Sequence, residues 1–273
     1  MAKNAAYDAV YNQIIDKMSK GDIPWRKAWT GANPRNGKTG HKYSGINMFI
    51  LSMSGYADQR WYTYKQATEL GGQVKKGEKS TSVIFWTMFN TEDDNGKSKT
   101  VPVLRYFNVF NHEQIEGLKS DDTPQESIVD AEKLIEGYMG KPATLYGSSF
   151  AAYSPSQDRV TMPSREQFNT IDEFYGTLFH EYAHSTGHKD RLNRKTLTES
   201  TKFGSDVYSE EELVAELTSA FLCNHAGIDN TIDNSAAYIK GWMKAFKDNP
   251  KMIVQAASKA QKAADYILGV SAE

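Results

Sequence analysis

The segment Phe179-His180-Glu181-Tyr182-Ala183-His184 constrains this chain more than any other. It reads H-E-x-x-H, and Ile171, Phe174, Tyr175, Leu178 and Tyr182 around it recur at the helical period. Thr170 with Glu173 three residues on supplies a capping-box start, and Gly187 supplies a stop. The spacing predicts a helix over 171–187. On such a helix His180 and His184 stand one turn apart and point the same way, so two imidazoles can grip one cation. Glu181, rotated round the helix, can reach a water on the open side of that cation. The plainer reading, two surface histidines on a polar face, fits poorly with the apolar stripe beside them.

A zinc site of the catalytic kind needs three protein ligands and one open position. Two carboxylates compete for the third place. Asp190 falls at H-E-x-x-H-x-x-G-x-x-D and would need a sharp turn at Gly187. Glu212 opens an E-x-x-x-E pair with Glu216 on a helix expected over 209–225, an arrangement that resembles the gluzincin enzymes. There the first acid binds the metal and the second orients a ligand histidine from one turn further on. Glu212 is preferred, with Glu216 as its supporting acid and Asp190 as the alternative ligand. The plainer reading of Glu210, Glu211, Glu212 and Glu216 is a solvated acidic helix face. The apolar Leu213-Val214-Ala215 between the last two weakens it.

Length and composition bound the rest. A chain of 273 residues is long enough for one large domain or two ordinary ones, and 39% hydrophobic with 12% aromatic residues is enough for real cores. No apolar run approaches a membrane span, the start lacks the shape of a secretory signal, and the lone Cys223 excludes an internal disulfide framework. A cytoplasmic protein with no membrane partner is expected. Residues 1–122 hold 17 Lys/Arg against 13 Asp/Glu, a net of +4, while the remainder holds 15 against 21, a net of -6. That asymmetry predicts two modules of an α+β protein, 1–122 and 123–273, joined by the polar, acidic stretch 119–127.

Between residues 20 and 80 eight aromatics are interleaved with eleven cations. Such a mixture suits single-stranded nucleic acid, whose bases stack on rings while Lys and Arg follow the phosphates. The candidates are Trp25, Arg26, Lys27, Trp29, Arg35, Lys38, Lys42, Tyr43, Asn47, Tyr62, Tyr64, Lys65, Lys75, Lys76 and Lys79. Pattern alone serves equally well for core tryptophans and a solvated basic face. Helices are expected over 7–18, 47–54 and 65–70, with strands over 81–89 and 101–111. The second module reads as a helix over 128–139, strands over 143–153 and 159–162, the H-E-x-x-H helix, and further helices over 209–225, 236–246 and 250–268. Strand 159–162 is the expected edge along which an extended peptide would lie.

Several blocks together resemble the ArdC family of antirestriction proteins over nearly the whole chain. In front these are Ile23-Pro24-Trp25-Arg26-Lys27-Ala28-Trp29, Tyr43-Ser44-Gly45-Ile46-Asn47, Thr63-Tyr64-Lys65-Gln66-Ala67 and Phe107-Asn108-Val109-Phe110-Asn111. Behind are His180 to His188, Arg191-Leu192-Asn193-Arg194, Phe203-Gly204-Ser205 and Glu211 to Leu217. The resemblance implies a domain that binds single-stranded DNA, a zincin-like metallopeptidase domain with one zinc ion, and a role in protecting incoming DNA from restriction. In the family pattern position 190 is not a required acid, which further favours Glu212. A peptide or protein substrate follows if the metal site is catalytic. The alternative is a DNA-coating protein whose metal site is structural or vestigial.

Overall fold

The computed structural model describes residues 5–20, 33–92, 97–118, 130–198, 206–228 and 236–270, with the backbone alone for 206–209 and 236–239. They form two units, one built from 5–19 and 33–118 and the other from 130–270.

Alternating apolar residues make the first unit a sheet. Strands β1 (Arg35–Asn36), β2 (Arg60–Thr63), β4 (Thr81–Glu92) and β5 (Ser98–Asn111) lie in the order β1-β2-β5-β4, flanked by a small pair, β3 (Gln73–Val74) and β6 (Ile115–Glu116). β4 and β5 are a long antiparallel hairpin in register from Thr81↔Val109 to Glu92↔Ser98. Both run a few residues beyond their expected ends, because cross-strand pairing continues past the apolar stretch. Helix α1 (Ala5–Ser19) buries Ala6, Val10, Ile14 and Met18, a four-residue spacing that draws one stripe. Helix α2 (Gly45–Ser52) is tied to β4 by Asn47, whose side chain donates to the Ile84 carbonyl at 2.7 Å and accepts from its N–H at 2.8 Å. Helix α3 (Tyr64–Glu69) opens on a Thr63–Gln66 capping box. Tyr43, Leu51, Trp61, Val83 and Val109 form one core cluster, and Tyr62, Ala67 and Ile115 another.

The second unit sets a three-stranded sheet against helices. After α4 (Ala131–Gly137) come β7 (Ala143–Tyr146), β8 (Ala152–Ser154) and β9 (Arg159–Met162), in the order β7-β9-β8. Two expectations are corrected here. The stretch 143–153 is two strands, because Gly147 takes φ +94 and turns the chain after β7. β9 is the central strand, parallel to β7 and antiparallel to β8, so its backbone is spent on both sides and β7 and β8 are the edges.

Helix α5 (Ile171–Thr186) carries the H-E-x-x-H segment, with the Thr170 hydroxyl accepting from the Glu173 N–H as expected. It is buried nearly all round from Phe174 onward, whereas Ile171 in its first turn is 46% exposed and contributes nothing to the stripe. The short α6 (Lys195–Thr198) leads towards α7 (Asp206–Ala226), followed by α8 (Ala236–Asp248) and α9 (Lys251–Leu268). Small residues let these helices approach closely. Ser219 of α7 donates to the Gly176 carbonyl of α5 at 2.9 Å, and α9 buries Ala256, Ala257, Ala260, Ala263 and Ala264. No described helix is long and apolar enough to cross a membrane.

Candidate metal centre

Close contact between α5 and α7 brings Glu212 over the histidine pair. His180 Nε2 and His184 Nε2 stand 3.1 Å apart, and the Glu212 carboxylate lies 3.5 Å from the first and 3.6 Å from the second. Ligands held about 2.0–2.1 Å from a tetrahedral ion sit about 3.3 Å from one another. The spacings are close to that size, with Oε2 of Glu212 facing His180 and its Oε1 facing His184, so two imidazole nitrogens and one carboxylate fit a divalent cation. Among the described residues this is the one group of three such ligands found together.

The surroundings hold each imidazole in place. His184 Nδ1 faces Glu211 at 3.4 Å. Glu211 is itself gripped by Arg194, whose Nε donates to it at 3.1 Å, and by the Thr196 hydroxyl. Burial alone would raise the Glu211 carboxyl; His184 and Arg194 outweigh it and bring it down to about 2. His180 Nδ1 is buried without a hydrogen bond, with Glu216 Oε1 3.9 Å away. Burial would lower the His180 imidazole, but Glu212, Glu216 and Glu181 together lift it to about 9. A cluster so rich in carboxylate draws positive charge to its centre.

Arg194 also donates to the Ala183 carbonyl at 2.8 Å and to Thr186, which ties the loop after α5 back onto it. Gly187 makes room for this: a Cβ there would stand 2.9 Å from Arg194 Nη2 and 2.9 Å from Leu197 Cδ2. Asp190 goes elsewhere. Its side chain is 75% exposed and faces His188 Nδ1 at 3.5 Å.

A cavity of about 330 Å³ opens onto the triangle, with Ala152 and Tyr153 of β8 on its wall, Leu197 of α6, and Glu181 among its lining. Glu181 is 8% exposed. Arg191 pins the β8–β9 turn to the end of α5, donating to both Asp158 oxygens at 2.8 Å and to the Ser185 carbonyl at 2.9 Å.

The nucleic-acid candidates divide three ways. Trp25, Arg26, Lys27 and Trp29 lie outside the described residues. Tyr43, Asn47 and Tyr62 are 5%, 7% and 4% exposed and pack largely into the interior of the first unit. Tyr62 packs its ring where a Cβ on Gly37 would come within 2.0 Å of it. Tyr64, Lys42, Lys65, Lys75, Lys76 and Lys79 are exposed, Lys38 pairs with Glu69, and Arg35 is half-buried on β1. The exposed aromatics Trp86, Phe89, Tyr106 and Phe107 stand instead on the β4–β5 hairpin, outside the window that composition singles out. Their signal in the sequence is an apolar run on both faces of a strand, more than one buried face can absorb.

Known proteins match both units. A family model described as the N-terminal domain of anti-restriction factor ArdC matches residues 4–110, and one described as a zincin-like metallopeptidase matches 130–259. The metal-free crystal structure of antirestriction ArdC protein from plasmid R388 is 36% identical, with 96% of each chain covered and a TM-score of 0.80. The chain belongs to the ArdC family. The Mn(II)-bound form of that ArdC protein is similar at a TM-score of 0.78 and 35% identity, covering 96% of this chain and 97% of that one. The uncharacterized protein y4eC of Sinorhizobium fredii is 32% identical, with 96% of this chain and 91% of that protein covered. Two DNA primases TraC of Escherichia coli are 36% and 34% identical over 97% of this chain, which spans 20% and 27% of their lengths. The ArdC-family chain is thus an α+β protein with a zincin-like second half.

Proposed function

We propose that this chain is an antirestriction-type protein that binds single-stranded DNA and carries a one-zinc peptidase site in residues 123–273. The observation that carries the catalytic half is the triangle of His180, His184 and Glu212 with Glu181 in the same cavity. His180, His184 and Glu212 would hold the ion, and the donor set of two imidazoles and one carboxylate suits zinc. Bound there, the ion would supply Lewis acidity and bring the pKa of a water towards neutrality.

Everything else is the work of the chain's own residues. Glu181 accepts a proton from the attacking water and passes it to the departing amide nitrogen. Glu211, fixed by Arg194, holds His184 in one tautomer and orientation, while Glu216 places negative charge 3.9 Å from His180 Nδ1. The edge strand β8 offers backbone groups to an extended peptide laid along the cavity. Cleavage by wild type and its loss in Glu181→Gln, with metal content unchanged, is the expected result; equal cleavage by both overturns the peptidase reading.

The DNA half rests on membership of the ArdC family and on the basic, aromatic character of the first 122 residues. Binding of a labelled single strand should weaken steeply with salt, and salt-insensitive binding would contradict it. A second reading, a DNA-coating protein with a structural or vestigial metal site, rests on the R388 ArdC protein being known in both a metal-free and an Mn(II)-bound structure. Undiminished protection of incoming DNA by Glu181→Gln would select it. In either reading the chain shields entering plasmid or phage DNA.

A further inference from the structure

One face of the β4–β5 hairpin carries a second cavity, of about 320 Å³, whose lining includes His41, Tyr43, Phe85 and Phe107, with Asn36 and Thr87 among its polar members. Strand alternation places it. Phe85 and Thr87 of β4 share a face with their cross-strand neighbours Arg105 and Val103, and Val83 shares it with Phe107. The rings do not stack on one another. Phe85 stands 5.9 Å from Phe107 at 63°, 6.4 Å from His41 at 53° and 6.0 Å from Tyr43 at 44°. Tilted walls of this kind leave ring faces open to a planar guest, and Phe107 is 40% exposed.

Charge narrows the guest. None of the described residues lining the cavity is acidic, the exposed Arg105 pairs across from Phe85, and the exposed Lys42 sits between the wall residues His41 and Tyr43 in sequence. Arg35 bridges to Lys42 on the adjoining loop. Apolar rings inside and cations around them match a base inside and phosphates around it. The volume is at the lower end of small-ligand pockets, about 300–1,000 Å³, which suits one or two ring systems better than a folded peptide.

We propose that this cavity is a base-binding subsite, in which a nucleobase of single-stranded DNA stacks against Phe107 and Phe85 while Arg105 and Lys42 meet its flanking phosphates. The proposal rests on the single-stranded DNA reading above and adds to it Phe85, Arg105 and Phe107, which lie outside the 20–80 window.

The test uses the full chain and two labelled strands of equal length at one fixed salt concentration, an oligothymidylate and an abasic deoxyribose-phosphate strand, read by fluorescence anisotropy. Wild type should prefer the strand with bases by about fivefold to a hundredfold. Phe107→Ala, and Phe107→Leu with its apolar bulk retained, should lose most of that preference while binding the abasic strand as before; Phe107→Trp should keep it. Thermal melting confirms that each variant is folded. Wild type that binds neither strand overturns the DNA reading and this subsite together. Wild type that prefers bases, with Phe107→Leu and Phe107→Ala unchanged, overturns the subsite and leaves the DNA reading standing. Unchanged DNA binding with loss of self-association in Phe107→Ala would assign the cavity to contact between copies of the chain instead.

Discussion

Glu211 matters as much to the candidate centre as the residues that touch its middle. It is 3% exposed, shares its carboxylate between His184 and Arg194, and would leave Arg194 buried without its counter-ion if neutralised. Glu211→Gln should therefore weaken zinc affinity by about 10–100-fold, measured by competition with a chelator; unchanged affinity would show that His184 needs no such support. Gly187→Ala should lower the melting temperature, since its Cβ would collide with Arg194 and Leu197, at a cost of about 1–3 kcal/mol. Asp158 gives a pH prediction. The Arg191 guanidinium holds its carboxyl below the usual range, so its contribution is present above the unfolded pKa of about 3.9 and is lost as pH falls through the lower folded value. The stability gap between wild type and Asp158→Asn should be constant near neutrality and shrink below about pH 4. A gap that widens on acidification would contradict the assignment.

At the scale of elements, what was legible in the sequence is what local chemistry decides. α5 could be read because its apolar period, its Thr170 cap and its Gly187 stop agree, and the pair of strands β4 and β5 could be read from alternation. β7 and β8 could not be separated, because a single glycine conformation at 147 breaks an otherwise continuous strand pattern. Glu211 was hidden for a different reason: its partner Arg194 is 17 residues away, and only packing shows that the charge faces inward. Composition marks Asn47 and Tyr62 as binding candidates, yet burial is a property of the folded unit. Asn47→Ala should strip two hydrogen bonds that join α2 to β4, leaving buried Ile84 groups unpaired and costing about 1–3 kcal/mol in a denaturant melt. Single-stranded DNA affinity below the melting range should be unaltered, which a direct contact from Asn47 would not allow.

For the whole molecule, each unit buries a large set of apolar side chains away from the candidate centre, so a chelator should leave the helical circular-dichroism signal in place. Restoring zinc should raise the melting temperature by mass action, about 2.7 kcal/mol at a hundredfold excess over Kd. Collapse of secondary structure on chelation would instead make the metal part of the fold. The candidate centre depends on three side chains meeting at one ion, and metal binding to single variants tests that most directly. Isothermal titration with zinc should give one ion per wild-type chain, a loss of at least a hundredfold in affinity for His180→Ala, His184→Ala and Glu212→Gln, and wild-type affinity for Asp190→Ala. Wild-type affinity in Glu212→Gln, or its loss in Asp190→Ala, would contradict the centre described.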